Sequence, residues 1–306
     1  MVQPPSAPAH QPRGLRGNYS RAASDYTVAQ EWEHYSEEEH AIWATLYRRQ
    51  RALIERYAAP EFLQGTRALG ALPDRIPRFE EANRIIEAAT GWRIVAVPGL
   101  IPDEVFFAHL GQQRFPVTVW IRRRDELDYL VEPDLFHDFF GHVPLLTNPV
   151  FARFMRAYGQ AGPKAMATPG GLRMLSRLYW YMVEFGLIRT EQGLRVYGSG
   201  ILSSKGETVY SLEDPKPQRL QFDLVRVMRT EYCIDEFQKS YFVLDSFQQL
   251  FDACYRTDFA PIYARYAEQS PIAADGRVPG DVTVKIERER SAESAPNEGA
   301  PVQRPN

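Results

Sequence analysis

Apolar residues recur at helical spacing along most of the chain. Ile42, Trp43, Leu46, Tyr47, Leu53 and Ile54 fall on one stripe and predict an amphipathic helix. Ser36 followed by Glu39 is a capping-box start, in which the serine caps the first turn and the glutamate reaches back. Pro60 marks the end of that helix. A second helix is predicted from about Phe79 to Ala89, with Gly91 just beyond as its C-cap. Strand-like runs cover Trp92–Val97, Val117–Ile121 and Leu194–Tyr197. Longer helices are predicted over Val150–Tyr158, Leu172–Ile188, Leu220–Thr230 and Asp245–Tyr255. The fold class is therefore mainly α with a few short β-strands (α+β), in one domain.

Two stretches break this pattern with polar residues where burial is expected. The run from Tyr179 to Ile188 is apolar all round, as in a buried helix, and Glu184 stands alone in it. An unpaired ionised carboxylate there needs a cation, a strong donor set or a raised pKa. A buried pair with an arginine or lysine would meet the same need. Trp180 lies one turn earlier on the same face. The second stretch is Glu132-Pro133-Asp134-Leu135-Phe136-His137-Asp138-Phe139-Phe140-Gly141-His142-Val143-Pro144. Pro133 and Asp134 suit a helix start, and Gly141 and Pro144 its end. His137 and His142 are five apart, which on an ideal α-helix points them roughly 140° away from each other. Both face one ion only if His142 lies at a fraying end that Gly141 permits. Two imidazoles plus a carboxylate with open positions is the ligand set of non-haem Fe(II) oxygenases. The same count fits catalytic zinc, although no His-Glu-x-x-His is present. Asp138 is placed to hold a ligand imidazole from behind.

Composition narrows the field. A net charge of −3 gives no electrostatic case for nucleic acid or an anionic membrane. No apolar run is long enough to span a bilayer, and the Pro- and Arg-containing N-terminus has no secretory h-region. Cys233 and Cys254 read as reduced thiols, which suits the cytoplasm. Residues 1–24 and 269–306 are polar and Pro-rich and are expected to be disordered tails around a domain of residues 25–268.

The segment Glu132–Leu146 resembles the iron-binding signature of the pterin-dependent aromatic amino acid hydroxylases. Leu178–Leu187 is similar to the segment that brings their third ligand, and Tyr197–Ser204 to a third segment near the substrate. The likeness covers roughly residues 25 to 265 and is greatest to the bacterial phenylalanine-hydroxylating branch. It implies the catalytic-domain fold of that family, with Fe(II) bound by His137, His142 and Glu184, and Asp138 in support. It implies that Arg122 pairs with the substrate carboxylate, a task for a planar fork of donors. Trp180 and Phe185 would shape the aromatic pocket, Pro133 would pack on the substrate ring, and Tyr179 and Ser203 would lie beside the metal. Val97, Gly99, Leu100 and Ile101 would form the pterin loop, and Phe106 would stack on the pterin. The expected reaction is conversion of L-phenylalanine to L-tyrosine with O2 and tetrahydropterin as cosubstrates. Hydroxylation of tryptophan or tyrosine is the alternative within the family, and a zinc hydrolase or a non-catalytic protein lies outside it.

On residues alone, Arg122 has Arg123 and Arg124 as rivals, Phe106 has Phe107, and Ser203 has Ser204. His34, His40 and His109 have no matching metal role and read as structural. Leu130 stands where the animal enzymes carry a threonine. The expected assembly is a monomer, since the chain shows neither their N-terminal regulatory domain nor a C-terminal heptad helix.

Overall fold

The computed structural model describes residues 16–70, 72–128, 130 and 132–286. Ser36 begins α1 (Glu37–Tyr57) with both halves of the capping box in place. Its buried face carries Ile42, Trp43, Leu46, Tyr47 and Ile54, with Gln50 among them. The Gln50 NH2 donates to the Leu202 carbonyl, 2.5 Å away, while its buried Oε1 has no partner among the described residues. Pro60 does more than end α1: it is the first residue of α2 (Pro60–Ala68). Then come α3 (Phe79–Thr90), closed by Gly91 at φ 74°, and β1 (Arg93–Val97). Next are α4 (Asp103–Gly111) and β2 (Arg114–Thr118), which pairs in parallel with β1 from Arg93↔Arg114 to Val97↔Thr118.

A π-helical segment, Phe136–His142, leads through a 3-10 turn to α5 (Pro149–Met166) and α6 (Gly171–Tyr179). A second π segment, Trp180–Glu184, continues α6. The chain then forms β3 (Leu187–Thr190), β4 (Gly193–Val196), α7 (Ser199–Leu202), α8 (Lys205–Glu213) and β5 (Gln218–Gln221). It closes with α9 (Leu224–Arg229), β6 (Ser240–Leu244), α10 (Phe247–Tyr255) and α11 (Ala260–Tyr266). The second sheet has the order β4-β3-β6-β5, antiparallel only between β3 and β4. The class is mainly α with short strands, as expected.

Several boundaries differ from the sequence reading. The helix predicted over Leu172–Ile188 stops at Glu184, because Phe185 leaves helical geometry and the Tyr197 ring fills the place of any side chain at Gly186, 2.1 Å from an added Cβ. Ile188 is strand. The helix predicted over Leu220–Thr230 is the end of β5 followed by α9, with Asp223 accepting from the Arg226 N–H as the N-cap. The strand predicted at Val117–Ile121 ends at Thr118. The packed chain also outreaches 25–268. Tyr19 is buried and donates to the Leu100 carbonyl (2.8 Å), and Val284 donates to the Arg219 carbonyl (2.8 Å). Residues 1–15 and 287–306, the remainder of the expected tails, lie outside the described residues. Cys233 and Cys254 are free thiols. Among the described residues, no helix is long and apolar enough to cross a membrane.

The core fixes one side of the first π segment. Phe136 and Phe140 stack at 4.8 Å; Trp43 meets Phe136 edge-on at 5.3 Å, and Tyr47 meets Phe140 edge-on at 5.6 Å. Aromatic burial on this side leaves the histidines on the other.

Candidate active site

A π turn closes its backbone hydrogen bond over five residues and winds more loosely than an α-helix, so side chains five apart lie much closer to one face. His137 and His142 therefore meet without fraying: their rings lie 5.2 Å apart and nearly perpendicular. The expectation of a frayed end is replaced by this regular π geometry. Gly141 has a different task. A Cβ there would stand 2.9 Å from the Ser199 Cβ, so its absence lets α7 close onto the π segment.

Glu184 arrives from the second π segment and is 8% exposed. Its Oε1 lies 3.2 Å from His142 Nε2 and its Oε2 3.5 Å from His137 Nε2. Ser199 Oγ donates to Oε2 at 2.7 Å. Burial opposes the charge on Glu184, but positive charge at the histidine nitrogens, whether on the rings or on an ion between them, together with the Ser199 hydrogen bond outweighs it and holds its pKa low.

Ser203 decides which nitrogen of His137 is free. Its Oγ donates to the Ser199 carbonyl (2.8 Å) and lies 2.9 Å from His137 Nδ1. With its own proton committed, the hydroxyl accepts from Nδ1–H, which leaves the Nε2 lone pair aimed at the carboxylate. A lone pair facing a carboxylate oxygen calls for a cation between them. Two ligand atoms about 2.1 Å from one ion and at right angles stand about 3 Å apart, close to the observed spacings. The donor set thus fits a metal held on one face by two nitrogens and an oxygen.

Asp138 belongs to this cluster but not as expected. Its ligand atoms and those of the two histidines all lie within 4.8 Å of one another. Its carboxylate accepts from the Thr118 N–H (2.8 Å) rather than from an imidazole. Ser203 performs the holding role that the sequence reading gave to Asp138. Burial pushes the Asp138 pKa up, with both histidines and the Thr118 N–H opposing that rise.

Arg122 is 7% exposed, while Arg123 and Arg124 lie at the surface. Its Nε and Nη2 donate to the two oxygens of fully buried Asp134, each at 2.8 Å. Asp134 also accepts the N–H groups of Arg122 (2.9 Å) and His137 (3.0 Å). Burial disfavours its charge, but the guanidinium and these donors hold its pKa below the usual range. One aspartate therefore links the arginine to the start of the histidine segment.

The aromatic residues separate into two groups. Trp180 packs on Phe185 at 4.9 Å and stacks on Tyr232 at 4.3 Å. Tyr179 lies between Phe106 (5.5 Å, edge-on) and His142 (6.3 Å), and burial and then Glu184 push its phenol pKa well up, so it stays neutral. Phe107, the rival of Phe106, is core against Tyr158. Ser204, the rival of Ser203, caps α8. Val97 is buried at the end of β1, Leu100 is exposed, and Ile101 and Pro133 are half-buried. Gly99 has φ 153°, and an added Cβ would come 2.9 Å from the Tyr19 hydroxyl. His40 accepts from the Ile76 N–H and buried His109 contacts the Asp25 carbonyl, both away from the cluster.

Sequence reasoning missed the parts played by Asp134, Ser199, Tyr232 and Gln238. Asp134, inside Glu132–Leu146, and Ser199, inside Tyr197–Ser204, lay in segments the sequence had singled out; Tyr232 and Gln238 carried no signal.

Residues 4–262 match the family model of the biopterin-dependent aromatic amino acid hydroxylases. The phenylalanine-4-hydroxylase of Chromobacterium violaceum is 56% identical over 265 residues, covering 87% of this chain and 89% of that protein. A crystal structure of that enzyme with iron and phenylalanine bound aligns with a TM-score of 0.82 and 54% identity, over 89% of this chain and 97% of the other. Another, with iron(III) and the oxidised cofactor 7,8-dihydrobiopterin, gives 0.83 and 56% identity over 87% and 95%. These likenesses set aside the zinc-hydrolase and non-catalytic readings. With its two histidines and glutamate assembled as described, the chain belongs to the biopterin-dependent aromatic amino acid hydroxylases.

Proposed function

We propose that this protein is a phenylalanine 4-monooxygenase that converts L-phenylalanine to L-tyrosine with O2 and a tetrahydropterin. The observation that carries this reading is the convergence of His137 Nε2, His142 Nε2 and the Glu184 carboxylate, with His137 fixed by Ser203 as the metal-binding tautomer. The 56% identity to a phenylalanine-4-hydroxylase supports the choice of substrate. When bound, Fe(II) and the tetrahydropterin supply oxygen activation and two electrons.

The protein's own residues supply position. Arg122 has given Nε–H and one Nη2–H to Asp134, so its outer Nη1/Nη2 edge keeps two parallel donors for the amino acid's carboxylate. Trp180, Phe185 and Pro133 bound the side-chain pocket. Phe106 offers a ring face to the pterin, beside the Val97–Ile101 loop with Gly99, Leu100 and Ile101. Tyr179 packs between that face and His142 and excludes water there. Asp138 ties the histidine segment to the end of β2 through the Thr118 N–H. The enzyme works as a monomer in the cytoplasm, a compartment that suits its free cysteines.

The test is anaerobic titration with ferrous iron, followed by product analysis with phenylalanine, tryptophan and tyrosine in turn. One equivalent of iron and tyrosine formed from phenylalanine are expected. Turnover of tryptophan or tyrosine alone, or none with phenylalanine, would refute the assignment. Light scattering during gel filtration tests the monomer.

A further inference from the structure

The segment between α9 and β6 turns back on the pocket wall, and one buried amide accounts for how it is held. Gln238 is 1% exposed. Its Oε1 accepts from Trp180 Nε1–H (3.2 Å) and from the Cys233 N–H (3.2 Å), and its Nε2 donates to the Cys233 carbonyl (2.7 Å). The amide's orientation is determined, because an indole N–H only donates and so must face the oxygen. Its own backbone N–H donates to Glu207 Oε1 (3.0 Å). That carboxylate is 6% exposed and also accepts from the Tyr241 hydroxyl (2.7 Å). Glu207 lies on α8, directly after α7, whose Ser199 holds Glu184, and after Ser203, which holds His137. One corner of the chain thus anchors two metal-binding residues and, through Gln238, Trp180.

We infer that Gln238 is a positioning residue for substrate choice: its amide holds the Trp180 side chain in one χ1/χ2 setting and locks it to the Cys233 backbone. Tyr232 and Phe185 press on the indole faces at 4.3 Å and 4.9 Å. Stacking of this kind restrains tilt but does not favour one placement of the ring edge over a small slide across its neighbours. A hydrogen bond at the ring edge is directional and selects one placement, and the Gln238 oxygen supplies it. Trp180 opens the π segment that ends in Glu184, so the indole and the carboxylate are carried by one short backbone segment. A staple serving the loop alone would need only the two bonds to Cys233. The third bond, to Trp180, carries the functional claim. The inference rests on the proposal that Trp180 lines the substrate pocket.

The experiment uses the full chain loaded with ferrous iron and compares kcat/KM for phenylalanine and tryptophan in Gln238→Leu, Trp180→Phe and the double variant. Gln238→Leu is expected to change the phenylalanine-over-tryptophan ratio by about fivefold, the equivalent of one hydrogen bond, with the KM for tetrahydropterin moving less than about twofold. The double variant should show no larger shift than Trp180→Phe alone. Gln238→Glu keeps an acceptor for the indole while opposing the Cys233 carbonyl, so it should lose stability yet retain the parental ratio. Shifts that add in the double variant, or equal rises in both KM values, would overturn the inference. If Gln238→Leu fails to fold, an unchanged ratio in Trp180→Phe, or a shifted one in Gln238→Glu, overturns it equally. A parent chain that makes no tyrosine refutes the function itself, whereas an active parent with an unmoved ratio refutes only the role of Gln238.

Discussion

Glu207→Gln should flatten the dependence of stability on pH without loosening the fold. Glu207 is buried, and its bonds come from two neutral donors, the Gln238 N–H and the Tyr241 hydroxyl. Among the described residues no lysine or arginine forms a salt bridge with it. The neighbouring Arg219 spends its guanidinium on the carbonyls of Tyr210, Ser211, Asp214 and Pro217. Burial pushes the Glu207 pKa up to about 7, and the two donors only partly offset this. The folded chain then binds this proton more tightly than the unfolded chain, whose carboxyl titrates near 4.5. Its contribution is fully present below that value and is lost as pH rises through about 7. At about 1.4 kcal/mol per pKa unit, roughly 2–3 kcal/mol of stability disappears between pH 5 and pH 8. A glutamine oxygen accepts the same two bonds and does not ionise. Urea unfolding of parent and variant at pH 5 and pH 8, followed by circular dichroism, isolates the term, because every other titrating group is common to both chains. The variant should gain roughly 2–3 kcal/mol on the parent across that range. Parallel stability curves, or a variant less stable than the parent at pH 8, would refute the argument and show that the native chain uses the charged form.

Glu184→Ala should abolish tyrosine formation, by more than about 100-fold, since even residues behind the ligands are worth 10–100-fold in metal affinity or activity; metal analysis should show lost iron, and retained turnover would refute the ligand assignment. Arg122→Lys should raise the KM for phenylalanine by about tenfold or more, because a point charge cannot serve Asp134 and a carboxylate through one planar fork. Steady-state kinetics checks this, and an unchanged KM counts against it. Tyr19→Phe removes the bond to the Leu100 carbonyl and should raise the KM for tetrahydropterin about three- to fivefold while leaving that for phenylalanine alone. The opposite pattern would mean that the Val97–Ile101 loop does not serve the pterin.

What was legible in the sequence is what local chemistry decides. The Ser36–Glu39 box and Gly91 sit where the reading put them, because caps are settled within one turn. Strands β5 and β6 were not found. β6 is buried at every residue and paired on both sides, so it has no alternating face to read. The rivalry among Arg122, Arg123 and Arg124 was undecidable locally, since the answer is the Asp134 carboxylate twelve residues away. The resemblance singled out Arg122, and the structure supplies the physical reason: it alone of the three is buried on a partner.

The metal geometry itself depends on something no periodicity displays. Read with α-helical spacing, His137 and His142 diverge and Glu184 is one more position on a buried helix. Both segments that bring His137, His142 and Glu184 together are instead π turns, and the Phe185 N–H reaches the Trp180 carbonyl five residues back. A π turn is rarely favoured by its own sequence, so tertiary contacts must select it. Here they are visible. Phe136 and Phe140 are pinned by Trp43 and Tyr47, Gly141 admits Ser199, and Ser199 in turn holds Glu184. The aromatic side of the first segment is packed as core, and the extra residue in its turn is what rotates the second histidine back beside the first. The spacing of five that looks wrong for an α-helical metal site is therefore one that a π turn accommodates, and the core around it enforces that turn.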